Sequence, residues 1–331
     1  MASVTLPARL ETPANLRALN AVRDLPQVAD LIETCFAAHM DGDGRRYVRE
    51  LRRATQGGAL LGLARRVGES VSLPLTGYVW EDAGKVVGNA SLIPFRDRER
   101  RIYLIANVAV RPNYRRRGIA STLTARAMEH AWEHGAEAVW LSVREDSAGA
   151  LDLYRKLGFV ERARRTTWLA PEALPAPGPS GNSEVVARDS RNWELQRAWL
   201  AEAYPNDLAW HRRWDFSALR PGFLRWISTW LLDFGIQQWQ VNRDGKVQAV
   251  LAYLPGSAET VLFPAIGSGS DPDALTQLLL HARQRVPVRP RLSLEFPVAR
   301  FDEAIAAAGF EVQRTLVWMR ARAATQGPRY T

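Results

Sequence analysis

Hydrophobic and polar positions along the first half of the chain follow two different periods. Between residues 23 and 39 the apolar side chains recur at helical spacing, with Pro26 suited to a first turn. The further predicted elements are, in order, a helix at 45–53, two strands within 77–93 that turn at Ala83 and Gly84, a strand at 102–110, a helix from Ser121 to His134 that ends at Gly135, a strand at 138–143, a helix at 147–157 and a strand at 159–169. Strands and helices mixed in this way predict an α/β fold, with a mixed central sheet flanked by helices.

A composition shift at residues 170–183 divides the chain. This stretch holds four prolines and two glycines and has no periodic apolar pattern. Because proline fixes φ and lacks an N–H donor, we predict an extended linker there. The linker separates a domain at 1–169 from a domain at 184–331, and each is long enough to bury its own core.

The second half contains a weaker copy of the first. The segment 241–254 repeats the hairpin at 80–93, and the segment 307–319 repeats 156–169. The two matches are offset by 161 and 151 residues, a difference that ordinary loop variation accommodates. We therefore favour a duplicated domain over coincidence.

The net charge of +9 is unevenly distributed. Residues 1–170 hold 26 basic and 19 acidic side chains, an excess of 7, whereas the remainder contributes only 2. A bound anion is therefore expected in the first half. The predominance of arginine over lysine extends along the whole chain, and we interpret it as a bias towards G/C-rich codons.

Cysteine usage and hydropathy narrow the class of protein. The single cysteine, Cys35, excludes an internal disulfide framework and a zinc site built on cysteines. No apolar stretch approaches the ~18 residues that a membrane span needs, and the first residues lack a signal-peptide pattern. We expect an intracellular, cytoplasmic protein without membrane contact.

Two short patterns suggest metal ligands, and both have simpler explanations. His130 and His134 are four residues apart, but near a helix end the helix dipole favours an imidazolium. The stretch 41–44 resembles the start of a calcium loop but lacks the later glutamate, so a polar turn is favoured. We expect no metal.

The segment between the strand at 102–110 and the following helix predicts an anion site. Pro112 stops the strand, and the small residues Gly118 and Ala120 let the backbone approach a ligand closely. The N–H groups of 116–120 lie at the positive end of the helix dipole, which suits a pyrophosphate. Three arginines at 115–117 add charge-assisted contacts. Taken alone, such a loop is also explained as a solvated basic turn.

A second signature follows about forty residues later, with Leu153, Tyr154, Gly158 and Phe159 in the pattern LYxxxGF. Together with the Arg-x-x-Gly-x-Ala of the loop at 115–120, it resembles the GCN5-related N-acetyltransferases. The resemblance covers about residues 21–169 and is nearest to ribosomal-protein N-terminal acetyltransferases. For the second half it implies a similar but degenerate domain, so that each half is expected to hold a mixed, splayed sheet flanked by helices.

The resemblance implies transfer of an acetyl or other acyl group from acetyl-CoA to the primary amine of a small molecule or peptide. It implies that acyl-CoA lies between two splayed strands, with pantetheine on the backbone of 108–110 and pyrophosphate on the loop. The N–H of Val110 is then expected to stabilise the oxyanion, and Tyr154 to protonate the CoA thiolate. A core aromatic is the alternative role for Tyr154. The implied site residues are Val108, Ala109, Val110, Arg115, Arg116, Arg117, Gly118, Ile119, Ala120, Ser147 and Tyr154.

Two departures from the family pattern support a second hypothesis. Ser147 stands where relatives often carry an asparagine, and Ser142 stands where ribosomal-protein acetyltransferases carry a glutamate base. The base is therefore unassigned, and a water relay or an amine that arrives deprotonated would serve. The alternative function is a non-catalytic acyl-CoA sensor or regulator.

The second copy lacks the residues for the same chemistry. Ile305 replaces the tyrosine, and the glycine-rich segment 267–272 is explained by Ser270 or Asp271 capping a helix that begins with Pro272. We predict that this copy packs on the first domain and walls the acceptor cleft. The molecule is then a monomer with an intramolecular pseudo-dimer, or a homodimer.

Seven of the twelve tryptophans fall within 193–239, interleaved with arginines. This composition could stack bases of single-stranded nucleic acid. However, Trp210 and Trp214 are four apart, as are Trp226 and Trp230, which is the spacing of one helix face. A core or interdomain stripe is favoured, and no nucleic-acid partner is expected.

Overall fold

The structure is a computed structural model, and it describes residues 13–40, 42–54, 76–97, 99–171, 185–211, 216–220, 237–254, 259–286 and 291–323. The predicted linker at 170–183 lies outside the described residues beyond Pro171. Trp214, Trp226 and Trp230 also lie outside them.

The chain forms two compact units, Met1–Arg162 with Trp318–Thr331, and Ala163–Val317. These bounds differ from the predicted division at 169 and 184. Residues from Ala163 onward lie with the second unit because 165–169 pair with a strand of that unit. The stretch from Trp318 lies with the first unit, so each unit is completed by a strand from the other half of the chain.

The first unit is a mixed sheet with helices on both faces, as predicted from the alternation of strands and helices. Its strands run in the order β1-β2-β3-β4-β5, antiparallel except for the parallel pair β4 and β5. Its elements are β1 (Leu16–Ala18), α1 (Ala21–Phe36), α2 (Gly42–Ala54), β2 (Thr76–Asp82), β3 (Lys85–Asp97), β4 (Arg100–Val110), α3 (Ile119–Glu133), β5 (Ala138–Arg144), α4 (Ala148–Lys156), the start of β6 (Val160–Leu169) and the end of β12 (Glu311–Arg322).

Helix α1 begins earlier than predicted because the Asn20 side chain accepts a hydrogen bond from the N–H of Arg23 and caps it. Pro26 therefore lies in the second turn rather than the first. The apolar face of α1 packs with α2 against the sheet. Its buried cluster includes Leu25, Val28, Leu31, Ile32, Val48, Leu51, Val79, Val86 and Ala109.

Asp24 is fully buried at the start of α1 and is held by four donors. Arg17 binds both of its oxygens, at 2.6 and 2.9 Å, and the N–H of Asn20 and Nε of Arg23 bind at 2.8 and 3.0 Å. Burial alone would raise the pKa of Asp24, but these hydrogen bonds outweigh it and lower the pKa below the usual 3.8. The ion pair thus fixes β1 to the first helix.

Replacing Asp24 with asparagine should destabilise the protein by about 2 kcal/mol, because a buried carboxylate loses its charge-assisted hydrogen bonds while Arg17 keeps only Glu81. Urea unfolding of the full chain measures this loss. Because the folded-state pKa is lowered, the stabilisation is present at neutral pH and lost as the pH falls below about 4, where the variant and wild type converge. Asp30→Asn is the control, since its pair with Arg52 is 58% exposed on the aspartate side. It should change stability by less than about 0.5 kcal/mol. An equal loss of stability in both variants would contradict the conclusion that the buried pair of Asp24 and Arg17 stabilises the protein.

The second unit repeats the order of the first. Its strands run β6-β11-β10-β9-β8-β7, and again one central pair, β10 with β11, is parallel. Its elements are β6 from residue 163, β7 (Val185–Ala187), α5 (Trp193–Ala203), β8 (Gln237–Arg243), β9 (Lys246–Leu254), β10 (Glu259–Ile266), α6 (Pro272–Arg285), β11 (Arg291–Pro297), α7 (Asp302–Ala307) and β12 up to residue 317.

The two predicted hairpin copies share their irregularities as well as their sequence. Both turns use two residues with positive φ, Ala83 and Gly84 in one copy and Asp244 and Gly245 in the other. Each hairpin also has a register shift, at Trp80/Glu81 and at Val241/Asn242, and the two shifts are 161 residues apart. Shared bulges strengthen the case for duplication.

The glycine-rich segment of the second half caps a helix, as the simpler explanation predicted. Asp271 accepts from the N–H of Asp273, and Pro272 occupies the first turn of α6. Glycine is required at 267 for a different reason, because a Cβ there would lie 2.5 Å from Nε1 of Trp199. The described tryptophans of this region are buried or pack against the core of the second unit: Trp193, Trp199, Trp210 and Trp239.

Metal and membrane features are absent from the described part of the chain. No group of three metal-ligating side chains occurs there, and no described helix is long and apolar enough to cross a membrane. His130 and His134 stack at 4.1 Å, and a nitrogen of His130 lies 3.1 Å from the Tyr78 hydroxyl.

Candidate functional site

Strands β4 and β5 separate towards their carboxyl ends. They pair at only three positions, from Ile102 with Ala138 to Leu104 with Trp140. Beyond these, β4 continues to Val110 and β5 to Arg144 without pairing to each other. The splay opens a cleft at the carboxyl ends of parallel strands, where α/β proteins bind ligands.

A β-bulge in β4 shapes one wall of this cleft. Asn89 pairs with Ala109 and Ser91 with Ala106, so two residues of β4, Asn107 and Val108, oppose one residue of β3. Asn107 has φ +53°, a left-handed conformation that asparagine tolerates better than most residues. Such a bulge bends the strand and reorients the residues after it.

The bulge is fixed from two sides by side chains that sequence reasoning missed. The amide of Asn89 donates to the carbonyl oxygen of Asn107 at 2.9 Å, and the amide of Asn107 donates to the hydroxyl of Tyr47 at 2.6 Å. Burial raises the pKa of Tyr47 well above its usual range, although the hydrogen bond from Asn107 acts to lower the pKa. The phenol therefore stays neutral. These contacts tie β4 to β3 and to α2.

The predicted residues Val108, Ala109 and Val110 form the last part of β4. Ala109 is buried in the core, whereas Val108 and Val110 are half-buried. The N–H of Arg111 donates to Val87 on β3 at 2.8 Å. Because successive N–H groups of an extended strand point to opposite sides, the N–H of Val110 is directed away from β3, towards the cleft.

The carbonyl oxygen of Val110 is held by two contacts. It accepts from Nε of Arg115 at 3.2 Å and from the thiol of Cys35 at 3.3 Å. The thiol contact gives Cys35 a place at the site that its position in the sequence did not suggest. Both contacts restrain the peptide that follows Val110.

The loop after β4 has the conformation of an anion site. Pro112 begins a short 3₁₀ turn, and the Tyr114 hydroxyl at its end donates to Asp82 at 2.7 Å. Arg116 and Gly118 then adopt positive φ, and Gly118 is the N-cap of α3. The first N–H groups of α3, at Ile119 and Ala120, have no carbonyl one turn earlier and are available to a ligand.

The three arginines of the loop are exposed and uncompensated. Arg115 contacts Val110, and Arg117 donates to the carbonyl of Asn113 at 3.0 Å while its guanidinium lies 5.1 Å from the Tyr114 ring. Within the described ranges no carboxylate pairs with Arg115, Arg116 or Arg117. The loop therefore keeps a local positive charge beside the dipole of α3.

Tyr154 lies on α4, and its side chain is 7% exposed. Its ring meets Phe159 edge-on at 5.9 Å, and its hydroxyl has no hydrogen-bond partner among the residues that the structure describes. Burial raises the pKa of Tyr154 to about 12. The hydroxyl is therefore a protonated donor at neutral pH.

Ser147 and Ser142 flank the other side of the cleft. Ser147 is the N-cap residue of α4, but its hydroxyl lies 3.5 Å from Asp146 and makes no cap hydrogen bond. Ser142 is an exposed residue of β5. Neither side chain supplies a carboxylate.

Comparisons with known proteins find relatives among acetyltransferases. Residues 45–159 match the model of the acetyltransferase (GNAT) family. The chain is 36% identical over 62 residues to the ribosomal protein bS18-alanine N-acetyltransferase of Escherichia coli strain K12, which is 19% of this chain and 42% of that enzyme. It is 46% identical over 63 residues to the N-alpha-acetyltransferase MAK3 of Arabidopsis thaliana, which is 19% of this chain and 32% of that protein. The chain thus spans less than half the length of these curated relatives.

Solved structures match almost the whole chain, and one of them reaches a TM-score above 0.5 over nearly all of both chains. A GCN5-related N-acetyltransferase from Sphaerobacter thermophilus covers 94% of this chain and 97% of its own, with a TM-score of 0.55 and 17% sequence identity. At this identity the likeness is one of fold.

Proposed function

We propose that this chain, which carries a domain of the acetyltransferase (GNAT) family over residues 45–159, transfers an acetyl group from acetyl-CoA to a primary amine. The observation that carries the proposal is the loop at 115–120, which presents free helix N–H groups and three uncompensated arginines at the end of a splayed strand. A pyrophosphate satisfies both the donors and the charge.

In the proposed complex, acetyl-CoA lies along the cleft between β4 and β5. The pyrophosphate binds at 115–120, and the pantetheine pairs with the free edge of β4 at 108–110. Ser147 contributes a hydroxyl on the opposite side. This orientation brings the thioester next to Val110 and Tyr154.

The reaction is a direct transfer. The neutral amine attacks the thioester carbonyl carbon, a C–N bond forms, and the carbonyl oxygen becomes an oxyanion that the N–H of Val110 stabilises. The C–S bond then breaks, and Tyr154 donates its proton to the CoA thiolate and regains one from solvent. The proton of the amine leaves through water, because Ser142 offers no carboxylate.

Support for the acceptor class comes from the relatives rather than from the cleft. Two relatives are named for acetylation of an alanine of a ribosomal protein and of an alpha-amine. A peptide with a free N-terminal amine is therefore the first acceptor to test, ahead of small-molecule amines. We further propose that the protein acts in the cytoplasm without a nucleic-acid or membrane partner.

A second function is favoured by one observation, the serine at 142 where a base is expected. In this alternative the protein binds acyl-CoA as a sensor and does not turn it over. The cofactor site is the same in both hypotheses, so only turnover separates them.

The test combines binding with turnover. Acetyl-CoA should raise the melting temperature of the full chain, and peptide N-termini or small amines should release free CoA in its presence. The absence of any melting shift would overturn both hypotheses. A melting shift without CoA release over a broad panel of amines would favour the sensor.

A further inference from the structure

The second unit contains a cavity of its own, of about 140 Å³. Its apolar wall includes Leu208, Val261 and Phe263, and two charged residues, Arg165 and Glu295, also line it. An engineered cavity of about 150 Å³ in another protein stays dry and binds benzene, so this volume holds a small ring. All of the lining residues belong to the second unit.

Strand registers show which part of the first unit this cavity corresponds to. Ile93 pairs with Leu104 in the first unit, and Leu254, which is 161 residues later, pairs with Val261. Val261 is therefore the counterpart of Leu104, one residue before Leu262 and Leu294, which form the last pair of the parallel strands. The cavity thus occupies the place of the cleft of the first unit.

The same registers identify the counterpart of Ser142. Leu104 pairs with Trp140, and Val261 pairs with Ser293. Two residues further along each strand lie Ser142 and Glu295. The second unit therefore carries a glutamate at the position where the first unit has a serine, although it lacks the basic loop.

Glu295 is not a free carboxylate. Nε of Arg165 donates to its Oε1, and Arg165 also donates to the carbonyl oxygens of Ala203 at 2.8 Å and of Glu295 itself at 3.1 Å. Arg165 is 3% exposed, and its guanidinium lies 4.8 Å from the ring of Tyr204. The arginine is thus locked in place from several sides.

The fixed ion pair sets the charge preference of the cavity. A cationic ligand would meet the buried guanidinium of Arg165, and an anionic ligand would meet the carboxylate of Glu295. An uncharged ligand avoids both repulsions. The Glu295 side chain is 35% exposed, and its second carboxylate oxygen can accept a hydrogen bond from such a ligand.

We propose that this cavity binds a small uncharged ring compound that carries one hydroxyl donor, with the ring against Val261 and Phe263 and the hydroxyl on Glu295. The site is separate from the acyl-CoA site of the first unit. It does not depend on acetyl transfer.

The test uses three probes that share one ring and differ in charge: benzyl alcohol, benzylammonium and benzoate. Titration of the full chain by NMR should show benzyl alcohol binding at least about 10-fold more tightly than either ion. Val261→Phe should weaken benzyl alcohol binding at least 10-fold by filling the cavity, whereas Gly118→Glu in the first unit should leave it unchanged. No binding of benzyl alcohol, or equal binding of all three probes, would overturn the proposal.

A second variant changes the charge and keeps the volume. Glu295→Gln leaves Arg165 without its carboxylate, so benzoate should gain affinity and exceed benzyl alcohol. Circular dichroism checks that both variants fold. A Glu295→Gln protein with an unchanged order of affinities would contradict the charge argument, even if Val261→Phe behaves as expected.

Discussion

Gly118→Glu should abolish the rise in melting temperature that acetyl-CoA gives the wild-type protein. Gly118 caps α3 with φ +77°, a conformation that costs a non-glycine residue about 1–2 kcal/mol. The new carboxylate would stand at the helix N-terminus, where the pyrophosphate is proposed to bind. Like charges at about 4 Å near a protein surface repel by about 4 kcal/mol, so the Kd for acetyl-CoA should rise by at least 100-fold.

Gly84→Glu is the matched control for this substitution. Gly84 has φ +76°, and a Cβ at either glycine would meet nothing within 4 Å, so strain and added charge are the same. Gly84 lies in the turn between β2 and β3 rather than in the loop at 115–120. The control should lose a similar amount of stability but keep the melting shift. Loss of the shift in both variants, or in neither, would remove the loop from the binding role.

Tyr154→Phe should lower kcat by about 100-fold with little change in the affinity for acetyl-CoA. A positioned general acid contributes ~10²–10⁴-fold to a rate, and the substitution removes only the hydroxyl. Because burial raises the pKa of Tyr154 to about 12, the wild-type acid stays protonated up to at least pH 10. The rate of the wild type should therefore show no loss of this acid between pH 7 and pH 10.

Tyr78→Phe is the control for the tyrosine, because Tyr78 is 8% exposed and its hydroxyl also lies in the first unit. Its hydroxyl meets His130 rather than the cleft, so this variant should lose about 1 kcal/mol of stability and keep its turnover. Turnover unchanged in Tyr154→Phe would leave that residue with the role of a core aromatic. Steady-state kinetics and acetyl-CoA titration together decide whether Tyr154 is a general acid or a core aromatic.

The features predicted well from sequence are local ones. The strand, loop and helix around Gly118 are set by a proline that ends a strand, a small N-cap residue and an apolar period, all within about twenty residues. The two hairpin copies are likewise specified by a two-residue turn. The family resemblance, which rests on the loop and on the motif around Tyr154, is confirmed by the match over 45–159.

The features that sequence reasoning missed depend on distant residues. The bulge at Asn107 adds one residue to β4, and a single insertion does not disturb an apolar run such as 102–110 enough to be seen. Its partners, Asn89 and Tyr47, are 18 and 60 residues away. Asparagine within an apolar strand was the available signal, since it favours the left-handed conformation.

The domain bounds also cannot be predicted from local sequence patterns. A proline-rich stretch predicts a linker, but it does not indicate which strand pairs with the strand before it. Residues 165–169 pair with β11, more than 120 residues later. Glu295 has the same position in the second unit that Ser142 has in the first, and only the pairing of β10 with β11 reveals this correspondence.

The end of β12 belongs to the first unit, and this has a consequence for the order in which the protein is synthesised. The first unit includes the stretch from Trp318, where the guanidinium of Arg320 lies 5.4 Å from the ring of Trp140 on β5. A ribosome delivers these residues only after the whole second unit has been made. Strand β5, which lines the proposed acyl-CoA cleft, therefore gains this neighbour only after the second unit has been translated, and a nascent chain that stops near residue 170 leaves β5 without it.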